Sequence, residues 1–440
     1  MDQLQTIAAD SGLDLDSQQF AQAMDARDPL AHLRSEFVMP TVSQVTGEAG
    51  NDKACVYMCG NSLGLQPKRA RRMVCEELDE WANGGVTGHF HHTHGRPWAA
   101  YREPVVQKMA PIVGAKTSEV GVMNTLTTNV HLMLAAFYQP TAKRYKILIE
   151  GKAFPSDHYA VESQIRWHEL PADAMLLAEP RAGEHTLRTE DILDLIAREG
   201  DSIAVVMLGG VHYYTGQAFE MERITAAAHA AGCVVGWDLA HAAGNVELQL
   251  HDWNVDFACW CTYKYMNSGP GGIAGFFVHE RHADSTDLHR LVGWWAHDPA
   301  TRFDMTNEFA SAPGAAGFEI SNTPILTAAA LLGALDVFAL TSMAALRQKS
   351  VLLTTYLEYL LQARLGARIQ IITPPKHRGA QLSLLFRSEH EFERVFAALT
   401  RAGVVCDERK PNCIRLGPAP LYNTFHDVWS CVDVISTAAI

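Results

Sequence analysis

The sequence has little charge, and its balance is acidic. Lys, Arg, Asp and Glu together make up 19% of the 440 residues, and the formal net charge is -13. An acidic chain is repelled by nucleic acid and by anionic membranes. We therefore expect neither of them as a partner.

Cysteine motifs are missing as well. The nine cysteines are odd in number and include no Cys-x-x-Cys pair, so neither a zinc ribbon nor a thioredoxin motif is supported. Several of them, such as Cys259 and Cys261, lie inside apolar runs. Reduced thiols in a cytoplasmic protein are the simplest expectation.

Targeting and membrane segments are lacking too. Residues 1–20 have no basic region and no apolar core, so they do not form a signal peptide. The one long apolar run, 327–346, contains Asp336 and has no flanking aromatic residues. It predicts a buried connecting helix in a soluble protein rather than a membrane span.

What the chain does have is a stretch at 234–277 with an acid and an amine in suggestive places. A short apolar run ends in Asp238, with His241 just beyond, and a second run at 257–261 is followed by Tyr263 and Lys264. The pattern predicts two strands, each followed by polar groups at its carboxyl end, where open α/β sheets bind ligands. An acid for a pyridinium nitrogen and a lysine for a Schiff base are what a pyridoxal phosphate (PLP) enzyme requires.

The surrounding pattern predicts an α/β fold. A strand at 145–150, a strand from 203 that breaks at Gly209, and a helix from 220 that ends at Gly232 indicate βαβ units and a mainly parallel sheet. From about residue 341 the pattern changes to α+β. We expect three parts, namely an N-terminal helical arm (1–55), a large cofactor-binding domain (56–325), and a connecting helix with a small α+β domain (326–440).

The loop 85–98 carries four histidines, at positions 89, 91, 92 and 94. It suggests a metal site, but no cysteine or acidic ligand pattern accompanies it. A polar, aromatic-rich active-site loop or plain surface is favoured, and we expect no metal.

Two helix starts admit both a structural and a functional interpretation. An apolar run stops at Asn124, and a helix begins near Leu126, where Thr and Asn are ordinary caps but free N–H groups also suit a phosphate. Phe154 leads into another helix and suits either core packing or stacking on a cofactor ring. The lysine and acid downstream favour phosphate binding at the first of these helices.

Several motifs, taken together, resemble the kynureninase family of fold-type-I PLP enzymes, in the aminotransferase class V-like superfamily. They include GNSLGLQP, NTLTTN, KRYKILIE, GVHYYTGQ, LVGWW and RLGPAPLYN, and they occur in the family's order from about residue 56 to 428. The chain looks closest to the family's animal and fungal branch. The resemblance implies a seven-stranded, mainly parallel sheet in the large domain.

The resemblance also implies a cofactor site. Lys264 would bind PLP covalently, Asp238 would pair with its ring nitrogen, and Tyr263 would act as a general acid. The full set of implied PLP-binding residues is Leu126, Thr127, Phe154, Pro155, Ser156, Asp157, Gly209, Asp238, His241, Tyr263, Lys264, Trp294 and Asn322. At Gly209 relatives carry a serine, so this chain lacks one hydroxyl near the cofactor.

The substrate site and the assembly follow from the same resemblance. Arg415 matches the arginine that holds the substrate carboxylate, and His89 and Asn322 match positions that shape the aryl pocket. Trp294 and Asn322 correspond to residues that the neighbouring subunit supplies, which implies a homodimer with shared active sites. Trp295 stands where relatives carry another aromatic residue.

The implied reaction is hydrolysis of the Cβ–Cγ bond of kynurenine or 3-hydroxykynurenine, giving alanine and an anthranilate. It belongs to tryptophan catabolism and NAD biosynthesis. The alternatives are another fold-type-I enzyme, such as a cysteine desulfurase using Cys406 or Cys413 or an aminotransferase, and an inactive scaffold. Preference between the two kynurenines stays open, because one hydroxyl is a small free-energy difference.

Overall fold

The computed structural model describes residues 1–283 and 288–439. Its α-helices are α1 (Asp2–Ser11), α2 (Gln18–Ala26), α3 (Val42–Thr46), α4 (Lys68–Gly84), α5 (Arg102–Met109), α6 (Leu126–Phe137), α7 (Pro155–Trp167), α8 (Thr189–Glu199), α9 (Met221–Ala230), α10 (Ile325–Phe338), α11 (Met343–Leu365), α12 (Glu389–Arg401) and α13 (Phe425–Ala438). Its strands are β1 (Val56–Tyr57), β2 (Val120–Val122), β3 (Lys146–Glu150), β4 (Met175–Ala178), β5 (Ile203–Gly209), β6 (Val234–Asp238), β7 (Phe257–Trp260), β8 (Gly275–Val278), β9 (Ile369–Ile371), β10 (Leu382–Phe386), β11 (Val404–Val405), β12 (Asp407–Arg409) and β13 (Cys413–Leu416).

The chain divides into two compact units. The central unit comprises Arg69–Tyr213 and Ala218–Asp336, and the terminal unit comprises Met1–Lys68, Tyr214–Gln217 and Val337–Ile440. The three-part domain division inferred from the sequence stays a prediction. In the structure, residues 1–55 belong to the terminal unit together with the C-terminal segment.

The central unit contains a seven-stranded sheet in the order β2-β8-β7-β6-β5-β3-β4. Strands β7, β6, β5, β3 and β4 are parallel, and β8 is antiparallel to both of its neighbours. Almost every residue of β3, β5, β6 and β7 is buried, as is typical of parallel strands that are covered on both faces. The mainly parallel seven-stranded sheet is therefore confirmed.

Helices α6 and α7 contribute to the core on this sheet. Met133 and Phe137 of α6 form one cluster with Ile147, Val205 and Phe257 of the strands. Each fully buried side chain of this size contributes about 1.5–3 kcal/mol to stability. The packing fixes where α6 and α7 begin, and these helix starts are part of the candidate site.

The terminal unit has an antiparallel sheet in the order β12-β13-β10-β9 and a parallel pair, β1 and β11. Its core joins Phe20 and Met24 of α2 to Tyr356 of α11 and Phe425 of α13. The Asp25 carboxylate accepts the N–H groups of Phe425 and His426, at 2.6 and 3.1 Å, and so caps α13 from the other end of the chain. The α+β character predicted for the C-terminal part is confirmed.

Two short 3-10 turns flank or replace regular helix. Helix α5 ends at Met109, and a 3-10 turn over Ala110–Ile112 follows it, which contains Pro111 and therefore lacks one N–H donor. Ala31–Glu36 also form a 3-10 turn. Gly232 follows the end of α9 with φ 76°, a left-handed conformation that glycine adopts without steric strain.

No single helix among the described residues is long and apolar enough to cross a membrane. Helices α10 and α11 meet that test of length and composition only as a broken pair.

Candidate active site

Four parallel strands of the central unit lead into the candidate site at their carboxyl ends. Glu150 ends β3, Gly209 ends β5 and Asp238 ends β6, while Lys264 follows shortly after β7. Gly209 and Asp238 are register partners on adjacent strands. Because the carboxyl ends of parallel strands meet at one edge of the sheet, the predicted acid and amine lie at the same edge.

Lys264 lies close to two other predicted residues. Its Nζ atom is 2.9 Å from Nε2 of His241 and 6.0 Å from the centroid of the Phe154 ring. His241 is buried, whereas the Phe154 side chain is 44% exposed. An amine and an imidazole in hydrogen-bond contact can hold one proton between them, so Lys264 has a partner that can receive or return a proton.

Asp238, which is buried, and Asp157, which is partly buried, form a carboxyl pair. Oδ1 of Asp238 accepts the N–H of Ala240 at 2.8 Å, and the two carboxyl groups are hydrogen-bonded to each other. Burial, followed by the charges of Asp238 and Glu150, raises the pKa of Asp157 well above its usual value. Asp157 is therefore the protonated donor, and Asp238 is the carboxylate that accepts.

Glu150 is a third carboxyl group at this edge, and it is buried. The sequence motifs did not identify it as a site residue. It accepts the N–H of Gly209 with both oxygens, each at 3.2 Å, and burial raises the pKa of Glu150 to about 7. An acidic residue that ends an otherwise apolar strand, YKILIE, was the signal that could have identified it.

Gly209 leaves room for this contact. A Cβ atom at position 209 would lie 2.9 Å from Oε1 of Glu150. A serine at this position would therefore require the end of the Glu150 side chain to move.

Replacing Glu150 by glutamine should change how stability depends on pH. The raised pKa means that the folded chain binds this proton more tightly than the unfolded chain, so wild-type stability falls as pH rises from about 4.5 to about 7. Glu150→Gln cannot lose this proton. Its advantage over wild type in the free energy of unfolding should grow by about 3 kcal/mol across that interval, as measured by urea unfolding of the cofactor-free protein.

Glu162→Gln is the matched control, because Glu162 is on the exposed surface and pairs only with Arg166 in the described contacts. Its difference from wild type should stay flat with pH. A flat difference for Glu150→Gln as well would contradict the assignment of a buried, easily protonated Glu150.

Two helix starts meet beside this edge. Helix α6 begins at Leu126 and α7 at Pro155, and Oγ1 of Thr127 lies 2.6 Å from Oγ of Ser156. Among the described residues, neither N-cap residue caps its helix with its own side chain. Adjacent hydroxyls and first-turn N–H groups form an arrangement that binds phosphate.

Tyr263 holds its proton firmly. Burial, followed by the neighbouring Cys261 thiol, raises the pKa of Tyr263, and its hydroxyl is hydrogen-bonded to Cys261. Tyr263 therefore stays protonated at neutral pH and is available as a donor.

Three predicted residues of the central unit are not joined to Lys264 by a hydrogen bond or ring contact in the described part of the chain. Trp294 is half exposed and donates Nε1–H to the carbonyl of Arg302 at 3.0 Å. Asn322 is exposed ahead of α10. Nδ1 of His89 is 3.0 Å from the carbonyl of Val86.

Arg415 lies in the terminal unit, on β13. It is 1% exposed and forms an ion pair with Asp407 on the adjacent strand β12. This salt bridge holds the guanidinium in a fixed orientation.

The chain is similar to known proteins along nearly its whole length. Residues 346–435 match the family model "Kynureninase C-terminal domain". A kynureninase of Myxococcus xanthus is 53% identical and covers 96% of this chain and 97% of its own. The kynureninase of Mus musculus is 49% identical, with 99% and 96% covered.

Solved structures share the fold at low identity. A C-DES mutant with glycine covalently linked to the PLP cofactor aligns with a TM-score of 0.72 at 15% identity, over 90% of this chain and 99% of that one. A cysteine desulfurase of Escherichia coli aligns with a TM-score of 0.72 at 17% identity, over 93% and 98%. At such identities, the similarity establishes the fold alone.

Proposed function

The chain belongs to the kynureninase family, and from this premise we propose that it hydrolyses the Cβ–Cγ bond of L-kynurenine, L-3-hydroxykynurenine or both. The products are L-alanine and the corresponding anthranilate, which places the enzyme in tryptophan catabolism and NAD biosynthesis. The observation that carries the proposal is about 50% identity to kynureninases over almost the full length of both chains.

The donor groups at the sheet edge fit PLP, the cofactor of this enzyme family. Three carboxyl groups lie there, of which Glu150 and Asp238 are buried and Asp157 is partly buried. The positive charge of Lys264 acts to lower the pKa of Asp157 and Asp238. A protonated ring nitrogen beside Asp238 would supply a second positive charge. When bound, PLP provides an electron sink that stabilises a carbanion at the substrate α-carbon.

Lys264 and His241 are assigned to the cofactor's aldehyde end and to proton transfer. Lys264 would be the amine that holds the cofactor. Once the amine of the substrate has taken its place, the freed Nζ would remove the proton from the substrate α-carbon. Support comes from the 2.9 Å contact between Nζ and Nε2 of His241, because an imidazole within hydrogen-bond reach can relay a proton. Tyr263 is assigned as the general acid.

The remaining cofactor contacts divide between the ring and the phosphate. Phe154, which is partly exposed beside Lys264, is assigned to stack on the ring. The starts of α6 and α7 are assigned to the phosphate, through Leu126 and Thr127 on one side and Pro155 and Ser156 on the other. Gly209 completes this set at the end of β5 and contributes backbone only.

Arg415 is assigned to the substrate carboxylate. Its guanidinium offers two parallel N–H donors to a carboxylate, which a lysine does not. The ion pair with Asp407 supports the assignment, because it orients the guanidinium before the substrate binds.

The homodimer with shared active sites is part of the proposal. Trp294 and Asn322 are assigned to the cofactor site from across the subunit boundary. Asn322 is also assigned, with His89, to the aryl pocket. Support comes from an exposed aromatic surface in which the Phe303 ring lies 5.5 Å from both Phe90 and Trp294. Between 50% and 58% of each of these side chains is exposed, which favours burial against another chain.

We also place the enzyme in the cytoplasm and keep the domain division at 55 and 325 as a proposal. All nine cysteines are described, and each is free, as a reducing compartment favours.

The test is an assay of the purified protein, loaded with PLP, for anthranilate fluorescence and alanine from each kynurenine. A desulfurase is the rival that the fold favours, so sulfide release from cysteine is measured beside it. Desolvation raises the pKa of the Cys406 thiol well above its usual value and burial raises the pKa of Cys413 to about 11. Neither thiol is an activated nucleophile. Alanine and anthranilate without sulfide are expected, and the reverse result, or no turnover, would refute the proposal.

A further inference from the structure

On α4, the carboxylate of Glu77 accepts hydrogen bonds from four side chains. The side chain of Glu77 is fully buried and accepts hydrogen bonds from His92 Nε2 at 2.8 Å, Trp98 Nε1 at 2.9 Å, Tyr101 Oη at 3.0 Å, and Arg96 Nε and Nη2 at 3.0 and 2.9 Å. Burial alone would raise the pKa of Glu77, but the hydrogen bonds from these four side chains outweigh it and lower that pKa. Glu77 is therefore ionised, and its charge is matched by Arg96.

Glu80 holds the same segment one helical turn further on. Its Oε2 accepts the backbone N–H of Thr93 at 3.0 Å and the Thr93 hydroxyl at 2.6 Å. The two carboxylates together attach the segment 92–101 to α4 at five residues. A loop held by buried, charge-assisted hydrogen bonds has a single preferred conformation.

The conformation of this loop fixes Trp98, and Trp98 in turn contacts His89. The His89 and Trp98 rings meet edge to face, with centroids 5.2 Å apart. On the preceding residue, a Cβ atom at Gly88 would lie 2.9 Å from the Trp98 ring, so the indole is packed directly on the backbone there. The position of the His89 ring therefore follows from that of Trp98, whose Nε1–H is held by Glu77.

We propose that Glu77 is a positioning residue that sets the place of His89 in the aryl pocket for the substrate. The proposal rests on the function proposed above, in which His89 shapes that pocket. Glu77 touches no substrate itself and acts through Trp98. It determines substrate binding rather than the chemical step, because His89 is assigned to the aryl end and not to the reacting carbon.

The test compares Glu77→Gln with Glu76→Gln. Glu76 is the neighbouring residue, and in the described contacts it bonds Arg96 at 2.8 Å but not Trp98, His92 or Tyr101. In Glu77→Gln the KM for both kynurenines should rise about tenfold, because a misplaced binding group weakens substrate contacts. Its kcat and its affinity for PLP should stay within about twofold of wild type, as should all constants of Glu76→Gln.

A double-mutant cycle separates positioning from general destabilisation. If Glu77 acts through His89, Glu77→Gln should add little to KM in a His89→Ala background. Trp98→Phe is a milder second variant, which removes one hydrogen-bond donor to Glu77 and retains an aromatic ring at that position. An unchanged KM in both Glu77→Gln and Trp98→Phe, or full additivity with His89→Ala, would overturn the proposal.

A measurement that needs no turnover distinguishes a failure of the positioning role from a failure of the proposed function. The ring signals of His89, observed by NMR in protein with carbon-13-labelled histidine, should shift in Glu77→Gln and stay in place in Glu76→Gln. Unshifted signals would overturn the positioning role. An inactive wild type with shifted signals would instead overturn the proposed function and leave the positioning role supported.

Discussion

Lys264→Ala should abolish cleavage of kynurenine while leaving the protein folded. The variant loses both the amine that attaches the cofactor and the base at the substrate α-carbon, and loss of the base alone can lower kcat by about 10⁴-fold. The purified variant should also lack the borohydride-sensitive yellow colour of the wild type. Initial rates of anthranilate release and the visible absorption spectrum are the measurements.

Lys143→Ala is the matched control for this variant. Lys143 is 75% exposed and pairs with Asp201 on the surface, so its loss should change neither colour nor rate. Residual turnover of Lys264→Ala above about a hundredth of wild type would show that another group carries the chemistry.

Asp238→Asn should lower kcat by about 10³-fold, the scale of a single lost electrostatic contact to a reacting group. The amide cannot keep the ring nitrogen of the cofactor protonated, so the electron sink is weakened although the shape of the site is preserved. Steady-state rates at saturating PLP measure the loss.

Asp157→Asn is a sharp control, because the two carboxyl groups lie in the same hydrogen-bonded pair. If Asp157 is the protonated member, asparagine reproduces its donor to Asp238, and kcat should change by less than about tenfold. Equal losses in the two variants, or a larger loss in Asp157→Asn, would reverse the assignment of the proton in this pair.

The sheet and its functional edge could be predicted from the sequence for a physical reason. Parallel strands buried on both faces appear as short apolar runs, and the polar residues directly after them must lie at one edge. The runs ending at Asp238 and before Lys264 showed this pattern, and the structure brings the two residues to that edge. Their roles stay proposals.

Contacts between distant segments could not be predicted in this way. Glu150 follows the same strand rule, but only the fold shows that it bonds the backbone of Gly209 and raises the pKa of Asp157. In the sequence Glu77 is one of several charged residues of α4, and its buried position depends on the loop that folds over it. Local periodicity reports which face of a helix is apolar and not which loop covers the other face.

The terminal unit has a consequence for the order in which the protein folds. The Phe20 and Met24 side chains share a core with Phe425, and Asp25 caps α13, so α2 meets its packing partners only after α13 has been synthesised. Residues 69–336 hold all seven strands of the large sheet and are complete before α13 has been made. Contacts of such high sequence separation form late in folding, so we expect α2 to pack only after the large sheet has formed.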